Sequence, residues 1–302
     1  MSNIQWYPGH MTKAVRQMKE DLKLVDLLIE VIDARIPVSS RNPDIDEMGK
    51  NKSRVVLLNK ADLADESVTA EWLEVFRAQN ISVAAVDSRN RKELGKVRTA
   101  IGQASAQKRE RDRKRGILNR PVRAMIVGIP NSGKSTFINS FAGKAAAKTG
   151  NKPGVTKGKQ WIRLAKDVEL LDTPGILWPK FEDETVGAHL AMVGSIRDEV
   201  VPAQELALSL IAALSEAYPE ALQARYDLSE QAVSSPSDDG QVDGVSDVPN
   251  ENVLTLTRIA LRRNAVRPDG SADYEKAAKI LLQDFRSGKL GRISLERPEN
   301  ER

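Results

Sequence analysis

Apolar residues along this chain recur with two different periods. In residues 12–26, Val15, Met18, Leu22 and Val25 fall at helical spacing behind Thr12, the expected N-cap, and predict an amphipathic helix. Leu27–Ile32 follows as a short, almost continuous apolar run, the pattern of a strand covered on both faces in a parallel sheet. Similar runs occur at Val55–Leu58, Ile81–Val86, Met125–Val127 and Val168–Leu171, and helical patterns at Ser67–Gln79 and Lys92–Ala104 alternate with them. Such alternation predicts an α/β fold, a mostly parallel sheet flanked by helices.

After Trp178 the strand signals stop. Ala203–Ala217, with Pro202 at its start, carries Leu206, Leu210, Ile211 and Leu214 on one stripe. Val253–Asn264 and Ala272–Arg286 predict two further helices. Between them, Ser234–Asn252 is rich in Ser, Asp, Gly, Pro and Asn and has no basic residue, which predicts a flexible acidic insertion. The expected division is therefore an α/β domain over residues 1–180 and a small all-helical domain over 181–302.

Composition narrows the chemistry. The chain has 302 residues, 40% hydrophobic and 29% charged, as expected of a globular protein with a sizeable core. It has no cysteine, which excludes disulfides, thiolate metal sites and cysteine nucleophiles. No run approaches the ~18 apolar residues of a membrane span, and the N-terminus lacks a signal or transit pattern. The expected location is the cytoplasm, with no membrane partner. Aromatics are only 4%, which argues against a broad base-stacking platform. The net charge of +4 favours nucleic acid only weakly, because clustering matters more than the total. The run Lys108–Arg115, KRERDRKR, reads either as a solvated helical connector or as a polyanion contact.

Four segments carry candidate chemistry. Gly128-Ile129-Pro130-Asn131-Ser132-Gly133-Lys134-Ser135 has the Gly-x4-Gly-Lys-Ser form, between a strand and a helical segment starting at Thr136. Backbone N–H groups of such a loop turn inward on phosphate oxygens; Lys134 would reach the β- and γ-phosphates, and Ser135 would bind Mg²⁺. Asp172-Thr173-Pro174-Gly175 follows a strand, as expected of a carboxylate near Mg²⁺ and a glycine N–H near the γ-phosphate. Thr156, between these motifs, is the expected switch threonine that completes Mg²⁺ coordination. Asn59-Lys60-Ala61-Asp62 has the NKxD form that reads guanine: Asp62 accepts from the ring N–H and the amino group, a donor pair that adenine lacks. Asp87 and Ser88 are the expected second guanine-facing loop.

The order of these motifs is inverted relative to the usual GTPase, in which the phosphate loop precedes the guanine box. In this order, and with Trp6–Met11, Asp33–Pro37, Ser39–Pro43 and Phe285–Arg292, the chain resembles the circularly permuted GTPases of the YlqF/YawG type. The resemblance implies a GTP-hydrolysing assembly factor for the large (50S) ribosomal subunit. It would bind 23S rRNA and precursor particles, which would stimulate hydrolysis, and its helical C-terminal domain would bind RNA. Arg258, Arg262, Arg263, Arg267, Lys289 and Arg292 are candidate RNA contacts, and solvated helix faces are the bland alternative. The acidic insertion departs from the family pattern.

Ile176 stands where many GTPases have a water-orienting Gln, so another group must position the water. The resemblance points to His10; His189 has nothing catalytic near it in sequence. Asn131 is a candidate for holding K⁺ beside the phosphates. The permuted order makes Ile176–Arg197 a tether from the nucleotide-sensing segment to the helical half. Two other functional classes remain open: a nucleotide-gated RNA-binding module with negligible hydrolysis, and an ATP-dependent P-loop enzyme, against which Asp62 argues.

Overall fold

The computed structural model describes residues 9–117, 120–142, 160–165, 167–172, 183–228 and 251–298. Its sheet has six strands: β1 (Leu27–Asp33), β2 (Ser53–Asn59), β3 (Ser82–Val86), β4 (Val122–Val127), β5 (Gln160–Ala165) and β6 (Val168–Asp172). Their order is β3-β2-β1-β4-β6-β5, parallel throughout except for β5, which runs antiparallel to β6 at the edge.

Every residue of β1 is buried, as its continuous apolar run requires. Alternate side chains serve the two faces. Leu27, Ile29 and Val31 join Val55 and Leu57 under α4 (Leu94–Lys114) and α5 (Lys134–Ala142), which contribute Val97, Ile101, Phe137 and Ile138. On the other face, Leu28 meets Met18 and Leu22 of α1 (Gly9–Leu22) and Ile45 of α2 (Pro43–Met48). Ile32, Val56 and Leu58 meet Val68, Trp72 and Phe76 of α3 (Glu66–Ala78). Glu30 interrupts the apolar run of β1 with a buried charge. Burial raises its carboxyl pKa, while Arg41 at 3.6 Å and Arg54 at 3.8 Å oppose the rise.

Some boundaries differ from the sequence pattern for local reasons. Helix α1 starts at Gly9, ahead of the expected cap at Thr12. Helix α3 is capped by Asp65, whose carboxylate accepts from Ser67 N–H at 2.9 Å and Val68 N–H at 3.3 Å. Helix α4 runs on to Lys114 and absorbs most of the basic run. Lys108 pairs with Asp112 at 2.5 Å and Asp26 at 3.5 Å, and Arg109 pairs with Asp167 at 2.6 Å, so part of that charge is already balanced. Strand β5 lies at the sheet edge and leaves Trp161 exposed, so its apolar signal is weak.

The chain divides into two compact units, Met1–Leu190 with Ser294–Arg302, and Ala191–Ile293. Helix α6 (Glu184–Met192) spans the first crossing. In the second unit α10 (Tyr274–Arg286) packs on α7 (Ala203–Ala217) and α9 (Glu251–Arg262), while α8 (Pro219–Tyr226) packs on α7. Leu206, Leu210, Ile211, Leu256, Ile259, Leu281 and Phe285 form its buried interior. The expected acidic insertion, apart from its last two residues in α9, lies outside the described residues.

Candidate guanine-nucleotide site

The motif loops emerge from the carboxyl ends of neighbouring parallel strands. The Asn59–Asp62 box begins on the last residue of β2, the Asp87–Ser88 loop follows β3, and Gly128 follows β4. The chain reverses its direction of build between β1 and β4, which makes their carboxyl ends a topological switch point, the usual ligand crevice of an open α/β sheet.

One side chain joins the loops. Asn59, 2% exposed, donates from Nδ2 to the Ser132 carbonyl at 2.7 Å, and its Oδ1 accepts from Ser88 N–H at 3.1 Å and Ser88 Oγ at 2.6 Å. The Asn59–Asp62 box, the Asp87–Ser88 loop and the Gly128–Ser135 loop thus share a single buried amide. The phosphate loop needs both glycines where it turns. Gly128 (φ +147°) lies so close to β1 that a β-carbon would meet the Val31 carbonyl at 2.3 Å, and a β-carbon on Gly133 (φ +94°) would meet Asn59 Nδ2 at 2.2 Å. Asn131 also takes a left-handed conformation, φ +58°.

Helix α5 begins at Lys134 and has no acidic residue in its first turn, so its N-terminal N–H groups and dipole face no competing carboxylate there. Lys134, itself buried, donates to the carbonyls of Gly128 at 3.1 Å and Ile129 at 2.7 Å. Ser135 and Thr136 lie in the same first turn. Strand β6, which ends at Asp172, pairs directly with β4, the strand that leads into the loop. The serine hydroxyl and the aspartate carboxyl are hard oxygen donors of the kind Mg²⁺ takes, so this donor set suits that ion. Among the described residues there is no cluster of three or more His, Cys, Asp or Glu able to hold a metal by itself.

At the guanine box, Asp62 has one oxygen buried without a hydrogen-bond partner, Oδ1. Its Oδ2 accepts from Arg89 Nη2 at 2.5 Å, and the same guanidinium donates from Nε to Asp87 Oδ1 at 3.0 Å. Burial would raise the Asp87 pKa, but hydrogen bonds from Arg89 outweigh it and hold the carboxyl below its ordinary value. Arg89 had no distinctive sequence signal; only folding brings it to both carboxylates.

Lys60, at φ +58°, donates from Nζ to Asp33 Oδ2 at 2.8 Å. Arg35 grips the same carboxylate from Nε at 2.9 Å, Nη2 at 2.8 Å and its backbone N–H at 3.1 Å. Asp33 is fully buried. Burial alone would raise its pKa, but Arg35 and Lys60 together overturn that and hold the carboxyl well below the usual range. Asp33 ends β1 beside Asn59, and that position at a strand's carboxyl end was the available signal for its place in the site.

His10 falls in the first turn of α1, but its side chain, like that of Asp172, lies outside what the structure describes. Thr156, Gly175 and the first part of the expected 176–197 tether also lie outside the described residues. Among the basic residues of the second unit, Arg262, Arg267, Lys289 and Arg292 are exposed and Arg258 and Arg263 half-buried. Lys289 lies 3.3 Å and Arg263 3.8 Å from the buried Asp284, and Arg262 lies 3.4 Å from Asp227. His189 is held by Ser39 and Glu296, away from the motif loops in its bonding.

The family model described as 50S ribosome-binding GTPase matches residues 123–226, a stretch that contains the phosphate loop and excludes the guanine box. Ribosome biogenesis GTPase A of Bacillus licheniformis is 44% identical over 297 residues, covering 98% of this chain and 99% of its own length. The GDP-bound structure of TM YlqF superposes with a TM-score of 0.66 at 28% identity, covering 94% of this chain and all of that one. GNP-bound YlqF from T. maritima gives 0.62 at 30% identity, over 95% and 99%. No helix among the described residues is long and apolar enough to cross a membrane. With its Asn59–Asp62 and Gly128–Ser135 motifs joined at Asn59 and relatives matched over nearly its whole length, the chain belongs to the ribosome biogenesis GTPase A family.

Proposed function

We propose that this GTPase is an assembly factor of the large ribosomal subunit, which it binds through 23S rRNA in a nucleotide-dependent way. The observation that carries the nucleotide reading is the Asn59 junction, beside which Asp62 Oδ1 is buried without a partner. That oxygen would accept the guanine ring N–H, Oδ2 would take the amino group, and the Lys60 stem would cover the base. N–H groups of Gly128–Lys134 and the start of α5 would hold the phosphates, with Lys134 exchanging its loop carbonyls for phosphate oxygens.

Ser135, Thr156 and Asp172 would hold Mg²⁺, which when bound offsets phosphate charge as the γ-phosphoryl departs. Asn131 would offer its amide oxygen to K⁺, and Gly175 its N–H to the γ-phosphate. His10 would orient the attacking water, the role that Ile176 lacks the chemistry to fill. The exposed Arg262, Arg267, Lys289 and Arg292 would contact RNA phosphates, while Arg263 and, in part, Lys289 also balance Asp284. Its compartment would be the cytoplasm.

The experiment is the GTP turnover of the full-length chain with purified large or small ribosomal subunits, in KCl and in NaCl. Stimulation by large subunits alone is expected. Equal rates with both particles would remove the large-subunit reading, and His10→Ala should lose the stimulation while keeping GTP affinity.

A further inference from the structure

After leaving the second unit the chain returns to the first, and three consecutive residues there bind both flanks of the guanine box. On one flank, Leu295 N–H donates to the Arg35 carbonyl at 2.9 Å, and the Glu296 carboxylate accepts from Val38 N–H at 2.6 Å, from Ser39 N–H at 3.1 Å and from the Ser39 hydroxyl. On the other, Ser294 Oγ accepts from Asp65 N–H at 3.1 Å, and the Glu296 carbonyl accepts from Trp72 Nε1 at 3.1 Å. His189 Nδ1 lies 2.9 Å from the same carboxylate, which is 11% exposed. The first flank leads directly to the box: Arg35 holds Asp33, Asp33 holds Lys60, and Ala34 N–H donates to the Asn59 carbonyl at 2.8 Å. The second flank caps α3 just after Asp62.

We propose that Ser294–Glu296 is a strap that positions the guanine box, with Glu296 as the principal positioning residue for base recognition. The nucleotide site is then complete only in a chain that carries its last segment; residues 1–190 alone lack it. The inference rests on Asn59–Asp62 being the guanine reader.

The test compares GDP with IDP, which lacks the 2-amino group, on the full-length chain and its variants. A general loss of stability weakens both nucleotides alike, whereas a misplaced box narrows the preference between them. Glu296→Ala is expected to weaken GDP binding about fivefold, the size of one lost hydrogen bond, and to narrow the GDP preference. Glu296→Gln, which keeps an acceptor oxygen, should recover part of it. An unchanged GDP-to-IDP ratio in folded Glu296→Ala overturns the strap; should that variant fail to fold, the ratio for Glu296→Gln decides. Asp62→Asn is measured in parallel. If it leaves the ratio unmoved, the guanine reading fails; if only Asp62→Asn moves it, the strap fails alone.

Discussion

A β-carbon on Gly133 would lie 2.2 Å from the side-chain nitrogen of Asn59, so the phosphate loop and the guanine box are packed to the point where only glycine fits between them. The two motifs stand far apart in sequence and belong to one interlocked structure. Gly133→Ala adds the clash to a backbone at φ +94°, where a side chain costs about 1–3 kcal/mol. Nucleotide affinity should fall by about tenfold or more, as read by GDP titration.

Asn59→Asp tests the same junction without changing its size. The substitution replaces the donor to the Ser132 carbonyl by a carboxylate oxygen, in a position that is almost fully buried. An unmatched buried polar group costs about 1–3 kcal/mol, more when charged. Both the thermal midpoint and GDP affinity should drop, and Asn59→Asp with both unchanged would contradict the junction.

Arg89 occupies Asp62 Oδ2, an acceptor that the guanine amino group would share. Because Arg89 is two-thirds exposed, its ion pairs contribute little to stability, about 0–1 kcal/mol. Arg89→Ala should leave the urea midpoint nearly unchanged and tighten GDP binding about two- to fivefold by freeing that oxygen. Weaker binding would instead make Arg89 a support of the carboxylate.

Asp33 links the guanine box to the loop before it, and its depressed pKa fixes the sign of a pH effect. A carboxyl lowered in the folded state adds stability above its ordinary value of 3.8 and loses that stability as pH falls through its lower folded value. Asp33→Asn leaves Arg35 and Lys60 facing a neutral amide and should cost about 3–5 kcal/mol near neutrality. The gap between wild type and variant in urea melts should hold from neutral pH down to the carboxylate range and close below it.

In the second unit Asp284 is buried and accepts from Arg225 Nε at 2.8 Å and Tyr226 OH at 3.1 Å. Asp284→Ala would strand those donors and should destabilise this unit by about 3–5 kcal/mol. Differential scanning calorimetry should show a lowered transition for the second unit, with GDP affinity of the first kept.

Sequence alone carried the architecture because covered strands and one-sided helices impose periods that survive without tertiary information. Leu27–Ile32 reads as a strand covered on both faces and is one, and Gly128–Ser135 between strand and helix reads as a phosphate loop. The edge strand Gln160–Ala165 was not legible, because a half-exposed strand carries a weak apolar signal.

The motif residues and their inverted order were likewise written in the chain, since nucleotide chemistry demands particular side chains at fixed local spacing. Tertiary structure decided which side chains serve them from a distance. Arg89 reaches Asp62 across a turn, Asp33 supports Lys60 across two strands, and Glu296 returns from the far end of the chain to Val38 and Ser39. A hydrogen bond between residues distant in sequence leaves no periodic trace in it; the fold alone brings its two ends within reach.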